Sequence, residues 1–178
     1  MYSQETEYIE TENATGFVKY YKGGKFAFVA LLPNEGTSID SYIASLTGKG
    51  FLGALNSRKN TQVNTQMPKF KCEYSNSLVD TLKKMGMSTA FDGDRANFSS
   101  MATLKNENIY ISDVIHKTFI EVAEKGTRAG AATAVIAGKS AAMPVEQPKE
   151  VRLTKPFVYA IIDTRTNLPL FIGAQTDI

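Results

Sequence analysis

The chain is short of cysteine, of histidine and of net charge, and each shortage removes a class of function. A single cysteine, Cys72, excludes an internal disulfide, and a lone thiol in an apolar strand reads as a small core residue. One histidine, His116, far from that cysteine in sequence, disfavours both a metal site and a Cys–His nucleophile pair. Lys and Arg number 20 against 18 Asp and Glu, so a net charge of +2 makes no electrostatic case for nucleic acid or for a membrane surface. No stretch approaches the ~20 apolar residues of a membrane span. The opening MYSQETEYIETENA is acidic and does not read as a secretion signal. There is no G-x-S-x-G elbow, no phosphate-binding glycine loop and no H-E-x-x-H, and the acidic residues are scattered rather than paired. An enzyme is therefore not supported, and nothing calls for a cofactor or a metal.

What is present is an ordinary globular composition, 43% hydrophobic and 21% charged over 178 residues, enough for one well-buried domain or two small ones. Tyr2 to Ile9 and on to Glu12 suits a strand and a turn. GFVKYYKGG, Gly16–Gly24, predicts a strand closed by the Gly23-Gly24 hairpin signal. Phe26 to Leu32 is almost continuously apolar, the pattern of a strand buried on both faces. Ser38 is placed to cap a helix carrying Ile39, Tyr42, Ile43 and Leu46. Gly48 and Gly50 interrupt, and Phe51, Leu52 and Leu55 predict a second short helix. TQVNTQMPKFKCEYS reads as one strand bent or limited at Pro68. NSLVDTLKKMG predicts a capped amphipathic helix with Leu78, Val79, Leu82 and Met85 inward and Gly86 at its end.

Asn108–Val122 is the longest strand expected, apolar on both faces and so a central strand covered on both sides, with a bulge near Asp113. His116 there takes the ordinary reading of a buried, hydrogen-bonded structural histidine. EVRLTKPFVYAIID and LPLFIGAQ supply two more strands around a polar turn, Thr164 to Asn167.

Between them lies EKGTRAGAATAVIAGKSAAMP, Glu124 to Pro144, where nearly every side chain after Gly126 is tiny. Taken alone, the run suits a helix or a flexible linker as well as an extended segment. As a strand it would place Thr127, Ala129, Ala131, Thr133 and Val135 on one face and its one large charge, Arg128, on the other. The first face could then enter a sheet without burying a charge.

These segments together resemble the serpins, of bacterial type. The matching residues are Glu124-Lys125-Gly126-Thr127 with the small run behind it, Lys155-Pro156-Phe157, and Leu170-Phe171-Ile172-Gly173 near the end. To these are added Met67-Pro68-Lys69-Phe70, the barrel segment from Ala14 to Glu35, and FDGDRANFSSM. Asn97 and Ser100 replace the usual Asp and Gly of that last turn, and Arg128 and Gly130 depart from the common hinge. The resemblance spans nearly the whole chain. It implies an α+β, β-rich serpin fold represented by its C-terminal portion: barrel-like antiparallel sheets, part of the large central sheet, few short helices and a long exposed loop. Residues 1–178 would be part of a single domain, with the reactive-centre loop at about 125–148 and the N-terminal half absent.

The resemblance implies an inhibitor of serine-type endopeptidases that is cleaved as a suicide substrate and then inserts its hinge as a strand. Glu124, Gly126, Thr127, Ala129, Ala131 and Thr133 would form the hinge, and His116 would belong to the region where the sheet opens. The family's usual spacing, counted forward from Glu124, implies a cleaved bond at Ser140–Ala141, with Lys139, Ala142 or Met143 as alternatives; counted back from Lys155-Pro156-Phe157 it implies one near Val145, in a loop about five residues longer than is common. Small residues there favour an elastase- or subtilisin-like target, whereas Lys139 would suit a trypsin-like one. An extracellular setting is implied as well. The alternatives are a non-inhibitory serpin-like structural or binding protein, and a truncated fragment with no inhibitory activity alone.

Overall fold

The computed structural model describes residues 1–102, 104–105, 107–123 and 147–178. They fall into two compact units, one comprising Met1–Phe70 with Val122–Ile178, the other Lys71–Glu121. The first is built on a seven-stranded sheet. In chain order its strands are β1 (Tyr2–Glu10), β2 (Ala14–Tyr20), β3 (Phe26–Pro33) and β4 (Lys59–Gln66). A strand pair outside this sheet, β5 (Phe70–Ser77) and β6 (Ile115–Val122), comes next in sequence. The sheet is completed by β7 (Lys149–Arg152), β8 (Phe157–Asp163) and β9 (Pro169–Gln175). The spatial order is β7-β4-β1-β2-β3-β8-β9. Every neighbouring pair in it is antiparallel except β4 and β7, which run parallel.

Continuous apolar runs take the centre, as expected. Of β3, Ala27 to Leu31 are all buried, and β8 is buried from Phe157 to Ala160. Their pleat sends Ala27, Val29, Leu31, Val158, Ala160 and Ile162 into one core with Tyr42, Phe51, Ala54 and Leu55 of two helices. Those helices are α1 (Ile39–Ser45), capped by the Ser38 hydroxyl accepting from Ser41 N, and α2 (Gly48–Asn56), capped by Thr47 accepting from Gly50 N. Gly48 and Gly50 thus lie inside the second helix rather than breaking the chain before it. The opposite face of the sheet carries an aromatic cluster. Phe28 stacks on Tyr159 at 6.1 Å, and Phe70 meets Phe157 edge-on at 5.8 Å.

Two positive φ angles and one close approach account for three of the glycines. Gly23 and Gly24 adopt φ of 90° and 68° in the turn between β2 and β3. Gly16, on β2, lies so near β3 that a Cβ would sit 2.1 Å from the Ala30 carbonyl oxygen.

The structure departs from expectation in three places. The segment around Pro68 is not one bent strand: β4 ends at Gln66 and β5 begins at Phe70, each in a different sheet. Proline removes a ladder donor, and the chain uses that break to change sheets. The long strand expected from Asn108 is regular only from Ile115, and among the described residues it pairs with β5 in a two-stranded sheet. It is not covered on both sides, since Ile115 is 64% exposed and Phe119 52%. A third helix, α3 (Val79–Lys84), forms where predicted but buries none of its residues, and Met85 is 77% exposed. Leu78 occupies its N-cap without a side-chain bond. Its apolar stripe was read from periodicity, and periodicity names a face without supplying a second layer to cover it.

Candidate functional site

The chain leaves β6 at Val122 and rejoins the described structure at Gln147, so these strands frame the small-residue run. The hinge residues Glu124, Gly126, Thr127, Ala129, Ala131 and Thr133 lie outside the described residues. So do Lys139, Ser140, Ala141, Ala142 and Met143 at the expected bond.

On the entry side, the pleat of β6 sorts its side chains to two faces. Lys117, Phe119 and Glu121 share one of them. There Lys71 of β5 places its Nζ 5.1 Å from the Phe119 ring centroid and 2.8 Å from Glu73 Oε1. The hydrogen bond between that pair raises the Lys71 pKa and lowers that of Glu73. On the other face the His116 ring meets Tyr74 edge-on at 6.3 Å. His116 is exposed, which corrects the expectation of a buried histidine. The physical reason is the strand count, because a two-stranded ribbon has no further layer to bury its face. An open cavity of about 490 Å³ lies along the ribbon, lined by Glu73, Tyr74, Ser75, Lys117, Thr118 and Phe119. The Tyr74–His116 and Lys71–Phe119 pairs had no sequence signal, since cross-strand register cannot be read from either strand alone.

On the exit side, β7 docks parallel to β4 with Val63 opposite Lys149 and Gln66 opposite Arg152. Val151 and Leu153 are 1% exposed, and Leu153 N donates to Gln66 O at 2.7 Å. Lys149 Nζ stands 5.7 Å from the ring centroid of the buried Tyr8. Burial, then the Glu10 carboxylate, raises the Tyr8 phenol above its usual range, and Lys59 opposes them. Within β7 Glu150 pairs with Arg152 at 2.9 Å, and just beyond it Lys155 pairs with Glu35 at 3.3 Å, along an open cleft of about 330 Å³. The return of the chain is therefore firmly built, by two buried apolar anchors and a cation over an aromatic ring. The entry strand is open.

Among the described residues there is no cluster of three or more His, Cys, Asp or Glu suited to a metal, and no helix long and apolar enough to cross a membrane.

Comparison with known proteins agrees along the whole chain. The family model for serpins (serine protease inhibitors) matches residues 1–178. An uncharacterized serpin-like protein of Thermococcus kodakarensis is 35% identical over 169 residues, 95% of this chain and 38% of the relative. Human Serpin B3 is 37% identical over 155 residues, 86% of this chain and 38% of its own length. Among solved structures, the thermophilic serpin Tengpin in its native state superposes over the full chain with a TM-score of 0.85 at 47% identity, covering 46% of Tengpin. A loop C-sheet serpin polymer superposes with a TM-score of 0.74 at 41% identity, covering 45% of that chain. The chain thus spans less than half the length of the relatives it matches.

Proposed function

The chain belongs to the serpin family, and from that membership we propose that it is the loop-bearing C-terminal portion of a single-domain serine protease inhibitor. The observation that carries this reading is continuity. The small-residue run follows β6, an exposed strand of a two-stranded sheet, within two residues of its end at Val122.

In this reading residues 125–148 are the bait. The protease serine attacks the carbonyl carbon of Ser140, the bond to Ala141 breaks, and the Ala141 amine departs, leaving Ser140 esterified to the protease. The freed hinge, Glu124 to Val135, then adds to the sheet beside β6 as a strand. Thr127, Ala129, Ala131 and Thr133 enter the covered face without burying a charge, and Arg128 stays on the other. About a dozen residues gaining backbone hydrogen bonds at roughly 1 kcal/mol each release on the order of 10 kcal/mol before entropy. That matches the whole stability of a typical domain, ~5–15 kcal/mol, so insertion can deform a captured protease. Exposed His116 sits on the strand that would receive the hinge and acts in sheet opening, with no part in proton transfer. Ser140, Ala141 and Ala142 favour an elastase- or subtilisin-like extracellular target.

The two-stranded sheet favours a second reading for the 178-residue chain by itself. With one strand pair to receive the hinge among the described residues, insertion gains little, and the isolated chain is a substrate without inhibitory activity.

The test is to mix the chain, and the chain joined to the N-terminal half of Tengpin, with elastase-, subtilisin- and trypsin-like proteases. The expected result is a denaturation-resistant covalent complex for the completed protein, with the released peptide beginning at Ala141. Clean cleavage without a complex in both cases would overturn inhibition.

A further inference from the structure

Glu121, the last but one residue of β6, is an exposed carboxylate with no ion-pair partner among the described residues. The cation that feels it is Lys71 of β5. The hydrogen bond from Glu73 raises the Lys71 pKa, and Glu121 adds to the rise through its charge alone. Lys71 is already engaged elsewhere, with Nζ 2.8 Å from Glu73 Oε1 and 5.1 Å from the Phe119 ring centroid. Glu121 therefore keeps an open acceptor where β6 ends and the small-residue run follows.

The pleat of β6 decides which side chains of an added strand come to that acceptor. Val122 is buried, and Thr118 and Ile120 on the same face are half-buried and uncharged. Lys117, Phe119 and Glu121 on the alternate face are exposed. An added strand keeps its own uncharged side with the first set, because burying a charge there is costly. In the run after Glu124 that side is Thr127, Ala129, Ala131 and Thr133. Arg128 then comes to the outer face with Glu121, since residues opposed in an antiparallel pair share a face. Register matters little within this constraint. Placed opposite Glu121, or shifted by two positions, a side chain as long as arginine still reaches it across the strand or on the diagonal.

We infer that Glu121 is a positioning residue for strand insertion: it receives the Arg128 guanidinium as the hinge joins β6, in an ion pair that exists only in the inserted state. The inference rests on the insertion reading above and adds to it a specific charge on each strand. Arg128 is one of the two residues that depart from the common hinge, and Glu121 is the charge to which that departure answers. Arg128 directly follows Thr127, the first residue of the inserting face, so the pair is made at the beginning of insertion. A contact formed before the barrier speeds the step. The pair therefore favours the hinge in its race against water, which otherwise hydrolyses the ester and releases the protease.

The experiment uses the completed protein with the protease it traps, and reads the ratio of covalent complex to cleaved, unbound inhibitor. Arg128→Gln and Glu121→Gln each remove the attraction and should lower the ratio by up to about fivefold, the equivalent of about 1 kcal/mol. Arg128→Glu sets like charges face to face and should lower it further, to about tenfold in all. Arg128→Glu with Glu121→Arg restores opposite charges and should recover most of that loss, a recovery that a merely structural role for either side chain would not give. Raising the salt should lower the wild-type ratio and leave that of Arg128→Gln unchanged, since exposed charges are screened. Equal ratios for the wild type and Arg128→Glu, or a double reversal no better than Arg128→Glu alone, would overturn the pairing and leave insertion standing. Absence of any complex from the wild type would overturn insertion, and the pairing with it.

Discussion

Lys19 and Glu5 meet across β2 and β1 with Nζ 2.5 Å from Oε1, at side-chain exposures of 10% and 13%. Ser3 accepts a second bond from the ammonium at 3.1 Å and donates to Glu5 at 2.8 Å, while its oxygen also bonds Thr65. Both charges are thus nearly out of water and fully partnered. Removing one partner leaves the other charge buried alone, which typically costs 3–5 kcal/mol, whereas replacing both with apolar residues is often neutral. Lys19→Met and Glu5→Leu singly should each lower stability by about 3 kcal/mol, with most of it recovered in the double variant. Denaturant midpoints of the four proteins decide the matter, and additive losses would show that the pair is not coupled.

Gly16 supplies the second prediction. A Cβ there would stand 2.1 Å from Ala30 O and 3.0 Å from a Leu31 methyl, and backbone cannot yield as a flexible side chain does. Gly16→Ala should push β2 away from β3 and destabilise by about 1–3 kcal/mol, the range for overpacking. Thermal unfolding against Gly53→Ala, where a Cβ meets nothing within 4 Å, provides the comparison.

Acid sensitivity should be traceable to Asp163. Hydrogen bonds from Thr166, backbone first and then hydroxyl, lower its pKa from the ordinary 3.8. A carboxyl whose folded pKa is depressed contributes stability above its unfolded pKa and loses it as pH falls through the folded value. The wild type should therefore lose stability relative to Asp163→Asn, which keeps an acceptor oxygen without titrating, as pH falls below 3.8. Parallel pH profiles of the two proteins down to about pH 2 would exclude this contribution.

The inserting face of the hinge offers a functional test. Thr127→Arg places a charge where a strand entering the sheet must bury its side chains. In the completed protein it should convert inhibitor to substrate, with covalent complex falling and cleaved loop rising. Ala132→Arg, on the opposite face, should retain the complex. Full inhibition by Thr127→Arg would discard strand insertion as the working step.

The two edges of the large sheet should behave differently. β7 is four residues long and carries Lys149, Glu150 and Arg152, features that discourage pairing with another chain. β9 has no charge in PLFIGAQ, and Leu170, Phe171 and Ile172 are 50%, 42% and 55% exposed. Sedimentation of the 178-residue chain should show concentration-dependent association, reduced by Ile172→Lys and unchanged by Glu150→Gln on the exposed face of β7.

The sequence alone determined the elements whose signals are local. Continuous apolar runs marked β3 and β8 as strands buried on both faces, because no exposed position needs a polar residue there. Ser38 marked the start of α1, because its hydroxyl bonds a backbone N–H three residues on. The serpin family was legible in residues that must hold their chemistry wherever they stand, such as Lys155-Pro156-Phe157 and the small run after Gly126. Tertiary structure decided what depends on partners distant in the chain. Periodicity gave Ile115, Phe119 and the α3 stripe an apolar face, but whether a face is covered depends on what packs against it. His116 was read as buried for that reason and is exposed. Likewise, Lys25 and Thr164 stand 139 positions apart, and only the pairing of β3 with β8 brings the Thr164 hydroxyl to the Lys25 carbonyl, because strand register is a property of the pair and not of either strand alone.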